Sequence, residues 1–308
     1  HSFFMKYRYP AMLHTMPKNL VIFGGFAIGL ILMVSIYGVL HARRVYVRQD
    51  PVVIEKSSSL PGLKIALIAD LHLGYNSTKS HVRKIVDTIN SQNVDLVCIA
   101  GDLFDNDYNA IKDPDEVADI LSDIKSRYGT YACWGNHDVS EKILAGFTFP
   151  QKETIVRDGR FTEFLHHAGI TMLEDETVCI NNAFYLVGRR DKDMAKKEQL
   201  PRKTFAEITE PLDPSLPIIV MDHQPGELSE ASDAGVDLDL SGHTHDGQMF
   251  PANLVVHFLW ENACGILKKG AMTSIVTSGA GVWGPAMRVG TNNEVVIANV
   301  SFDPATDQ

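Results

Sequence analysis

An apolar run turns abruptly polar in the stretch Tyr131-Ala132-Cys133-Trp134-Gly135-Asn136-His137-Asp138. A short run of this composition is typical of a strand buried on both faces of a parallel sheet. An amide, an imidazole and a carboxylate then follow at the carboxyl end of that strand, which is where open α/β sheets carry their functional loops. The stretch therefore predicts a buried strand that ends in a reactive loop.

The same pattern recurs along the chain. Apolar runs at 64–69 and 95–100 are each followed by a segment whose apolar residues have helical spacing. The two helical faces are Val82, Ile85, Val86 and Ile89, then Val117, Ile120, Leu121 and Ile124. Further strand-like runs occupy 177–180 and 184–187, paired as a hairpin, and 217–221, 238–241, 273–277 and 295–300. Alternating strands and helices of this kind predict an α/β layered fold.

Polar residues mark the starts of both helices. Ser77 or Thr78 is placed to cap the first helix. In the second, Asp113 is placed to cap, Pro114 takes the first helical position, and Glu116 would complete a modified capping box. The stretch 189–203 is interpreted as a charged connector.

Residues 20–40 form an uncharged and almost wholly apolar run. A helix over this run would extend about 31 Å, roughly the hydrocarbon thickness of a bilayer, so we predict a transmembrane helix. A cleaved signal peptide is the weaker alternative, because the run is too long and no small-x-small cleavage site follows it.

These features divide the chain into an N-terminal segment 1–19, a transmembrane helix 20–40, a connector 41–62, a folded domain 63–303 and a tail 304–308. Because His1 rather than Met stands first, we expect the segment 1–19 to be truncated or processed. The connector contains Pro51 and fits either an extended linker or an edge strand. Basic residues flank the span on both sides, and the small excess after it favours a cytoplasmic location for the folded domain.

Composition sets broad limits. With 308 residues, 45% of them hydrophobic and 21% charged, the chain can bury a sizeable globular core. The formal net charge of −10 argues against a nucleic-acid partner, because phosphate binding would require a basic surface. The sequence leaves the oligomeric state open.

Side chains of the metal-ligand type follow several of the predicted strands. Singly, each has an ordinary explanation, since a lone buried histidine is commonly a hydrogen-bonded core residue. Together they would form a costly set of buried polar groups unless cations bound them. Oxygen and nitrogen donors without cysteine favour Mn²⁺, Fe or Zn²⁺, and a carboxylate shared between two ions would let few ligands hold a pair. The residues are Asp70, His72, Asp102, Asn136, His137, His223, His243 and His245.

The chain resembles the calcineurin-like metallophosphoesterase superfamily in these motifs and in their order. The motifs are Asp70-x-His72, Gly101-Asp102, Gly135-Asn136-His137-Asp138, His223 and Gly242-His243-Thr244-His245. The resemblance covers about residues 64–300. It implies a sandwich of two mixed β-sheets flanked by helices, preceded here by one transmembrane helix.

The resemblance also implies two divalent metal ions and a role for each ligand. Asp70, His72, Asp102 and His245 would hold the first ion, and Asp102, Asn136, His223 and His243 the second, so that Asp102 is the bridge. His137 would be the catalytic histidine, contacting a phosphate oxygen or protonating the leaving group, with Asp138 holding its ring. The nucleophile would be a hydroxide that bridges the metals.

Further details narrow the resemblance. The forms Gly-Asn-His-Asp and Gly-Asp-Leu-Phe-Asp differ from those of serine/threonine protein phosphatases. We therefore rank a protein phosphatase third among the functional hypotheses. The blocks 242–248 and 278–285, with Arg288, are similar to the bacterial membrane-associated branch of YkuE- and YaeI-type phosphodiesterases. Arg288 would contact a substrate phosphate, or else serve a surface or salt-bridging role. The segment 250–267 is either a lipid-facing lip or a buried segment.

We therefore predict a membrane-anchored, binuclear metal-dependent phosphoesterase. It would hydrolyse phosphodiester, phosphomonoester or pyrophosphate bonds in a phosphorylated small molecule or a lipid-linked substrate. The alternative is a non-catalytic membrane sensor or scaffold that binds a phosphorylated ligand on the same fold. The complete ligand set favours the enzyme, because members that have lost turnover usually lack one or more ligands.

Overall fold

The computed structural model describes residues 18–141, 143–144, 147–148 and 157–303, in which two six-stranded sheets lie face to face with helices outside them. The helices are α1 (Lys18–His41), α2 (Lys79–Ser91), α3 (Pro114–Ser122), α4 (Gly159–His167), α5 (Lys192–Glu198), α6 (Phe205–Thr209), α7 (Leu228–Asp233) and α8 (Ala252–Leu259). The strands are β1 (Tyr46–Ile54), β2 (Leu63–Ile68), β3 (Leu96–Ala100), β4 (Thr130–Cys133), β5 (Ile143–Leu144), β6 (Phe147–Thr148), β7 (Ile170–Met172), β8 (Glu176–Ile180), β9 (Phe184–Gly188), β10 (Ile218–Met221), β11 (Leu238–Ser241), β12 (Gly265–Lys269), β13 (Met272–Val276) and β14 (Glu294–Phe302). Residues 1–17 of the predicted N-terminal segment and the predicted tail 304–308 lie outside the described residues.

Both sheets are mixed, as predicted. The first has the order β1-β14-β2-β3-β4-β7, with β2, β3, β4 and β7 parallel and β14 antiparallel to β2. The second has the order β12-β13-β11-β10-β9-β8, with a parallel centre from β13 to β9 and an antiparallel strand at each edge. Parallel strands end at a common edge, so each sheet presents a row of loops there.

Apolar side chains on the two faces of each strand build separate cores. Leu67 and Cys98 of the first sheet share the central core with Leu186 and Met221 of the second. Residues one position along, such as Ile68, face the other way and pack under α2, α3 and α4. The outer face of the second sheet packs against α6 and α7. The continuous apolar runs of the central strands follow from this burial on both faces.

The two predicted amphipathic helices are present. The four apolar residues of the first, at 82, 85, 86 and 89, are all buried in α2, and the Thr78 side chain accepts a hydrogen bond from the His81 amide at its start. In α3, Val117 and Leu121 are buried and the other two predicted residues are partly buried.

The predicted cap of α3 is wrong. Asp113 stands before the helix in a left-handed conformation, with φ +54°, and makes no side-chain capping hydrogen bond. Its carboxylate instead pairs with Lys79 at 2.8 Å, since an exposed ammonium group from α2 lies within reach. Pro114 does take the first helical position, as predicted.

Two connecting segments are more ordered than expected. The predicted connector 41–62 contains β1, which pairs with β14 in parallel from Tyr46 to Ile54, so the sheet begins before residue 63. Of the two interpretations of this segment, the edge strand is the one observed. The charged stretch 189–203 contains α5, which Asp191 caps through hydrogen bonds from the amides of Asp193 and Met194.

Helix α1 is long and apolar enough to cross a bilayer, with 24 residues and a mean hydropathy of 2.4, and it is the single helix of the described residues that meets this criterion. Its last turn is held against the folded domain. The Gly38 carbonyl accepts a hydrogen bond from the Arg288 amide at 3.0 Å, and the Ala42 carbonyl accepts one from the Asn293 side chain at 2.6 Å. A Cβ at Gly38 would lie 2.9 Å from the Met287 and Val289 side chains, so any larger residue would require these side chains to move.

Candidate metal centre

The candidate site forms where the carboxyl ends of five strands meet. Asp70, Asp102 and Asn136 follow β2, β3 and β4 of the first sheet, while His223 and His243 follow β10 and β11 of the second. Because the inner faces of the sheets pack on each other, the loops from both sheets converge. The structure thus brings the predicted ligands into one cluster.

The first group of ligand atoms comes from Asp70, His72 and His245. One donor atom from each lies within 4.8 Å of the others, and all three residues are buried. The Nε2 atoms of His72 and His245 are 3.0 Å apart, and His245 Nε2 lies 3.8 Å from Asp70 Oδ1. This is a convergent arrangement of two imidazoles and one carboxylate.

The second group comes from Asp102, His223 and His243, again within 4.8 Å of one another. His223 Nε2 lies 3.1 Å from Asp102 Oδ2 and 3.3 Å from His243 Nδ1. The Asn136 Oδ1 atom is 3.1 Å from the same His223 nitrogen, so the amide oxygen points into this group. His223 Nδ1 faces the Ala100 carbonyl at 2.8 Å, which sets the orientation of the ring.

Asp102 lies between the two groups. Its Oδ2 atom is 3.1 Å from His223 of the second group and 3.8 Å from His72 Nε2 of the first. Its Oδ1 atom accepts a hydrogen bond from the His137 amide at 2.8 Å. A carboxylate in this position can offer oxygen to two cations at once, which is the geometry expected of a bridge.

Divalent cations fit these donors. Facing imidazole nitrogens must share a proton or a cation, because two lone pairs repel each other at 3.0 Å. The buried His72 Nδ1 has no hydrogen-bond partner among the described residues and lies 3.6 Å from Asp105 Oδ1. Hard oxygen and borderline nitrogen donors without sulfur suit Mn²⁺, Fe or Zn²⁺.

Burial sets much of the protonation of the cluster. It lowers the pKa of His243 to about 3 and that of His137 to about 4, and it raises the pKa of Asp70 to about 6. Burial opposes ionisation of both Asp102 and His223, but the attraction between their opposite charges holds the pKa of the Asp102 carboxyl well below its usual range and that of the His223 imidazole well above it. His243 and His137 are thus neutral, and a bound cation would take the place of the His223 proton.

The backbone of the cluster is strained. A positive φ costs a residue other than glycine about 1–3 kcal/mol, and such residues persist where the surrounding structure holds them, often at functional sites. The residues with this conformation include Asp70 (φ +55°), His72 (φ +44°), Asp102 (φ +50°), His243 (φ +70°) and His245 (φ +52°). Five of the candidate ligands share this conformation, so the surrounding structure holds them in place against a cost in free energy.

Close backbone approach explains the glycine of the opening motif. A Cβ at Gly135 would lie 2.2 Å from Asp102 Oδ1 and 2.3 Å from the Asp102 amide nitrogen. Any larger residue would therefore push the central carboxylate away from its position. The Gly135 amide also donates to Asp138 Oδ2 at 2.7 Å, which ties the loop to the carboxylate that follows it.

The expected partnership between Asp138 and the His137 ring is wrong. Asp138 is fully buried and accepts hydrogen bonds from two main-chain amides, those of Gly135 and Phe104. These donors occupy both carboxylate oxygens, so Asp138 braces the loops and does not touch the imidazole. The His137 Nδ1 atom is instead hydrogen bonded to the Asn106 side chain.

Asn106 and Asp105 are site residues that the sequence did not single out. The Asn106 side chain is buried, its amide nitrogen donates to Glu141 Oε2 at 3.1 Å, and its backbone has φ +58°. Asp105 forms a third group of possible metal-binding atoms together with His72 and His137. The sequence signal for them was the polar pair Asp105-Asn106. It ends the stretch Gly-Asp-Leu-Phe-Asp-Asn and is separated from the expected Gly101-Asp102 turn by two apolar residues.

Arg288 lies behind the first group of ligands, with Nη2 3.4 Å from Nδ1 of His245, and its predicted contact with substrate is not supported. The side chain is fully buried. Its guanidinium donates to the main-chain oxygens of Ser278, Gly281 and His245 and to the side chains of Thr291 and Asn293. With its donors engaged in this way, Arg288 holds the loop 278–293 behind the first group of ligands.

The segment after the last histidine motif is exposed. Helix α8 has no buried residue, and five large apolar side chains at 250, 254, 255, 258 and 259 are exposed. Of the two interpretations offered for this segment, the structure is compatible with a lip beside the site. Its inner residue Trp260 packs edge-on against His243, with ring centroids 5.4 Å apart.

The sequence of the chain is similar to those of known metallophosphoesterases. A family model described as calcineurin-like phosphoesterase matches residues 63–247. An uncharacterised metallophosphoesterase of Helicobacter pylori strain J99 is 32% identical over 251 residues, which are 81% of this chain and 62% of the relative. A Danio rerio protein named transmembrane protein with metallophosphoesterase domain is 28% identical over 285 residues, covering 85% of this chain and 59% of that protein.

A third relative carries a substrate in its name. UDP-2,3-diacylglucosamine pyrophosphatase LpxG of Chlamydia muridarum is 24% identical over 228 residues, covering 63% of this chain and 67% of the relative. The chain spans about three fifths of the Helicobacter and Danio relatives, 62% and 59% of their lengths.

Proposed function

Because the chain belongs to the calcineurin-like phosphoesterase family, we propose that it is a membrane-anchored phosphoesterase that uses two divalent metal ions. The observation that carries the proposal is the position of Asp102 between two groups of buried or partly buried histidines and carboxylates. Such a pair of sites can clamp the attacking and leaving oxygens of a phosphoryl centre.

We assign each ligand residue to one or both of the two ions. Asp70, His72 and His245 hold one ion, while His223, His243 and Asn136 hold the other. Asp102 is shared between them. When bound, the ions supply the positive charge that stabilises a phosphoryl transition state and lower the pKa of bound water.

The remaining chemistry rests on side chains of this chain. The His137 ring is held by Asn106 through Nδ1, which leaves Nε2 as the atom that can meet a substrate oxygen. Its edge lies against the His72 ring, with centroids 5.2 Å apart, so the histidine borders the first group of ligands. We assign His137 the role of contacting a phosphate oxygen or moving a proton to the leaving group.

Three observations support a lipid-linked or other membrane-borne substrate. Helix α1 has the length and hydropathy of a membrane span, and one relative is named for a diacylglucosamine nucleotide. A cavity of about 540 Å³ extends from His72 to the end of α1, where Val39 and Arg43 line it with Lys84. Apolar and cationic walls beside a metal cluster suit an amphipathic phosphate, with phosphodiester, phosphomonoester and pyrophosphate bonds as the candidate linkages.

The test is hydrolysis of bis(p-nitrophenyl) phosphate by the purified full chain with added Mn²⁺. We expect turnover by the native protein and a loss of about a thousandfold or more in Asp102→Ala, since the shared ligand is removed. Asp87→Ala, which removes an exposed carboxylate of α2, should keep native activity.

Elemental analysis separates the enzyme from a sensor. An enzyme of this class should retain about two metals per chain, and Asp102→Ala should lose most of them. Native protein as inactive as Asp102→Ala on every phosphoester tried would refute the enzymatic proposal and favour a phosphate-binding protein on the same fold.

A further inference from the structure

Helix α8 carries an uncovered apolar surface beside the metal centre. The exposed side chains range from 53% exposure at Leu254 to 91% at Phe258, and they include Phe250, Val255 and Leu259. The inner side of the segment is formed by Asn253, Val256 and Trp260, which are partly buried at helical spacing. A contiguous apolar surface on a folded domain marks a contact with another phase or molecule.

This surface is joined to the end of helix α1 through one short segment, 287–289. The Phe250 amide donates to the Val289 carbonyl at 2.8 Å. One residue earlier, the Arg288 amide donates to the Gly38 carbonyl of α1 at 3.0 Å. The Val289 side chain also lies close to α1, because a Cβ at Gly38 would be 2.9 Å from it. The same residues therefore touch both the helix and the start of the exposed surface.

The position of Gly38 sets the depth of the surface relative to a bilayer. The uncharged run ends at Leu40 and is followed by His41 and Arg43, so Gly38 lies in the last turn before the polar head groups. Segment 287–289, bonded to Gly38, must lie near that boundary, and Phe250 is bonded to the segment.

We propose that Phe250 and helix α8 form a second membrane contact, lying in the interface of the bilayer that α1 spans. The inference rests on the proposed membrane anchoring and adds a part of the catalytic domain to it. The occupant is a lipid surface, because the exposed residues continue from a membrane helix and the sequence of α8, ANLVVHFL, contains no acidic residue, lysine or arginine.

The contact bears directly on the metal centre. Trp260, at the end of α8, packs on the candidate ligand His243, and His257 pairs with Asp246 at 3.0 Å in the loop that carries His245. The opening of the site therefore lies beside the lipid interface. Such a site can reach substrates whose phosphates lie in the lipid head groups at that depth.

Fluorescence quenching by spin-labelled lipid tests the contact. The full chain is reconstituted into phosphatidylcholine vesicles with and without doxyl-labelled lipid, and an NBD dye is attached to Phe258→Cys in a Cys179→Ser background. Burial raises the pKa of the native Cys264 thiol to about 12, and Cys98 and Cys133 are buried, so these thiols stay unreactive at neutral pH.

Two further labels serve as matched controls. The otherwise native chain labelled at exposed Cys179 reports on β8, which is the edge strand farthest from β12 in the second sheet, and α8 leads into β12. Ile31→Cys, in the same Cys179→Ser background, reports on the middle of α1. The far-ultraviolet circular dichroism spectrum of each labelled protein, compared with that of the native chain, confirms that it is folded.

We expect the doxyl lipid to lower emission about twofold or more at positions 31 and 258 and to leave position 179 unchanged. Quenching at 31 with none at 258 would overturn this inference and leave the anchoring intact. No quenching at either position would overturn the anchoring and this inference together. If a second copy of the chain covers α8, the dye at 258 will be blue-shifted in detergent as well and insensitive to doxyl lipid, which also refutes a lipid contact.

Discussion

Removing the Asn106 side chain should release the His137 ring while leaving the metal ligands in place. Asn106 accepts from His137 Nδ1 and donates to Glu141 at 3.1 Å, and it is buried. Without it, the contacts of the ring among the described residues are the His72 ring, edge-on at 5.2 Å, the tilted Trp283 ring at 6.1 Å and the nearby Asp105 carboxylate. The imidazole can then rotate away from the orientation that faces the first group of ligands.

The magnitude follows from the contacts that are lost. One neutral hydrogen bond is worth about 0.5–1.5 kcal/mol, which corresponds to roughly a twofold to tenfold effect on rate. Loss of a residue that orients a functional histidine typically costs about 10–100-fold. We therefore expect Asn106→Ala to lower kcat about tenfold on bis(p-nitrophenyl) phosphate, with little change in bound metal.

Backbone strain can be separated from the effect on the ring. Asn106 has φ +58°, a conformation that costs alanine about 1–2 kcal/mol but costs glycine little. Asn106→Gly should therefore lose the same tenfold in kcat as Asn106→Ala and should unfold at a higher urea concentration than Asn106→Ala. Asn106→Asp keeps an acceptor for Nδ1 but sets a second carboxylate against Glu141 Oε2, so it should recover only part of the rate. Full kcat in Asn106→Gly would refute the assignment of Asn106 as the residue that positions His137.

Three further substitutions probe other parts of the structure. Gly135→Ala places a methyl group 2.2 Å from Asp102 Oδ1, so we expect kcat/KM to fall about 100-fold and the metal content to drop, measured by kinetics and elemental analysis. Arg189→Met leaves the buried Asp222, 3.1 Å from the arginine, with less compensation and should lower the free energy of unfolding in urea by about 3 kcal/mol. Arg43→Gln removes a cation from the wall of the cavity and should raise the inhibition constant of lysophosphatidic acid, measured against bis(p-nitrophenyl) phosphate, about tenfold.

Each of the three substitutions has a matched control substitution. Gly159→Ala meets no atom within 4 Å and should leave activity unchanged. Lys192→Met removes a largely exposed cation that pairs with Glu227, which is also a partner of Arg189, and should cost less than about 0.5 kcal/mol. Arg44→Gln changes the residue beside the cavity cation and should leave inhibition unaltered. Equal effects in a substitution and its control would contradict the corresponding prediction.

Local patterns in the sequence were sufficient for the elements that carry the site. The four apolar positions of α2 and the buried central strands could be predicted because burial on one helix face, or on both faces of a strand, leaves a periodic trace. The ligand candidates stand out because each follows such a strand. Their convergence follows from the common edge at which parallel strands end.

Other features depend on contacts between distant residues, which leave no local trace. The pairing of β1 with β14 joins segments about 250 residues apart, and the Asn106 bond to His137 joins two loops. Asp113 has the sequence of a cap, but a lysine from another helix holds its carboxylate. Arg288 has the sequence position of a substrate contact, yet main-chain oxygens surround it. In each case a tertiary partner decided between roles that the residue type left open.

Under the proposed anchoring, the attachment of Gly38 and Ala42 to segment 287–293 would also set how the domain moves in a bilayer. A catalytic domain on a flexible leash samples a hemisphere of orientations, whereas one held at the last turn of its own span keeps a constant height and tilt. The search for a membrane-borne substrate would then be two-dimensional. The encounter rate would be governed by lateral diffusion and by the surface density of the substrate, so dilution of the bilayer with inert lipid should slow the reaction, while dilution of the bulk solution should not.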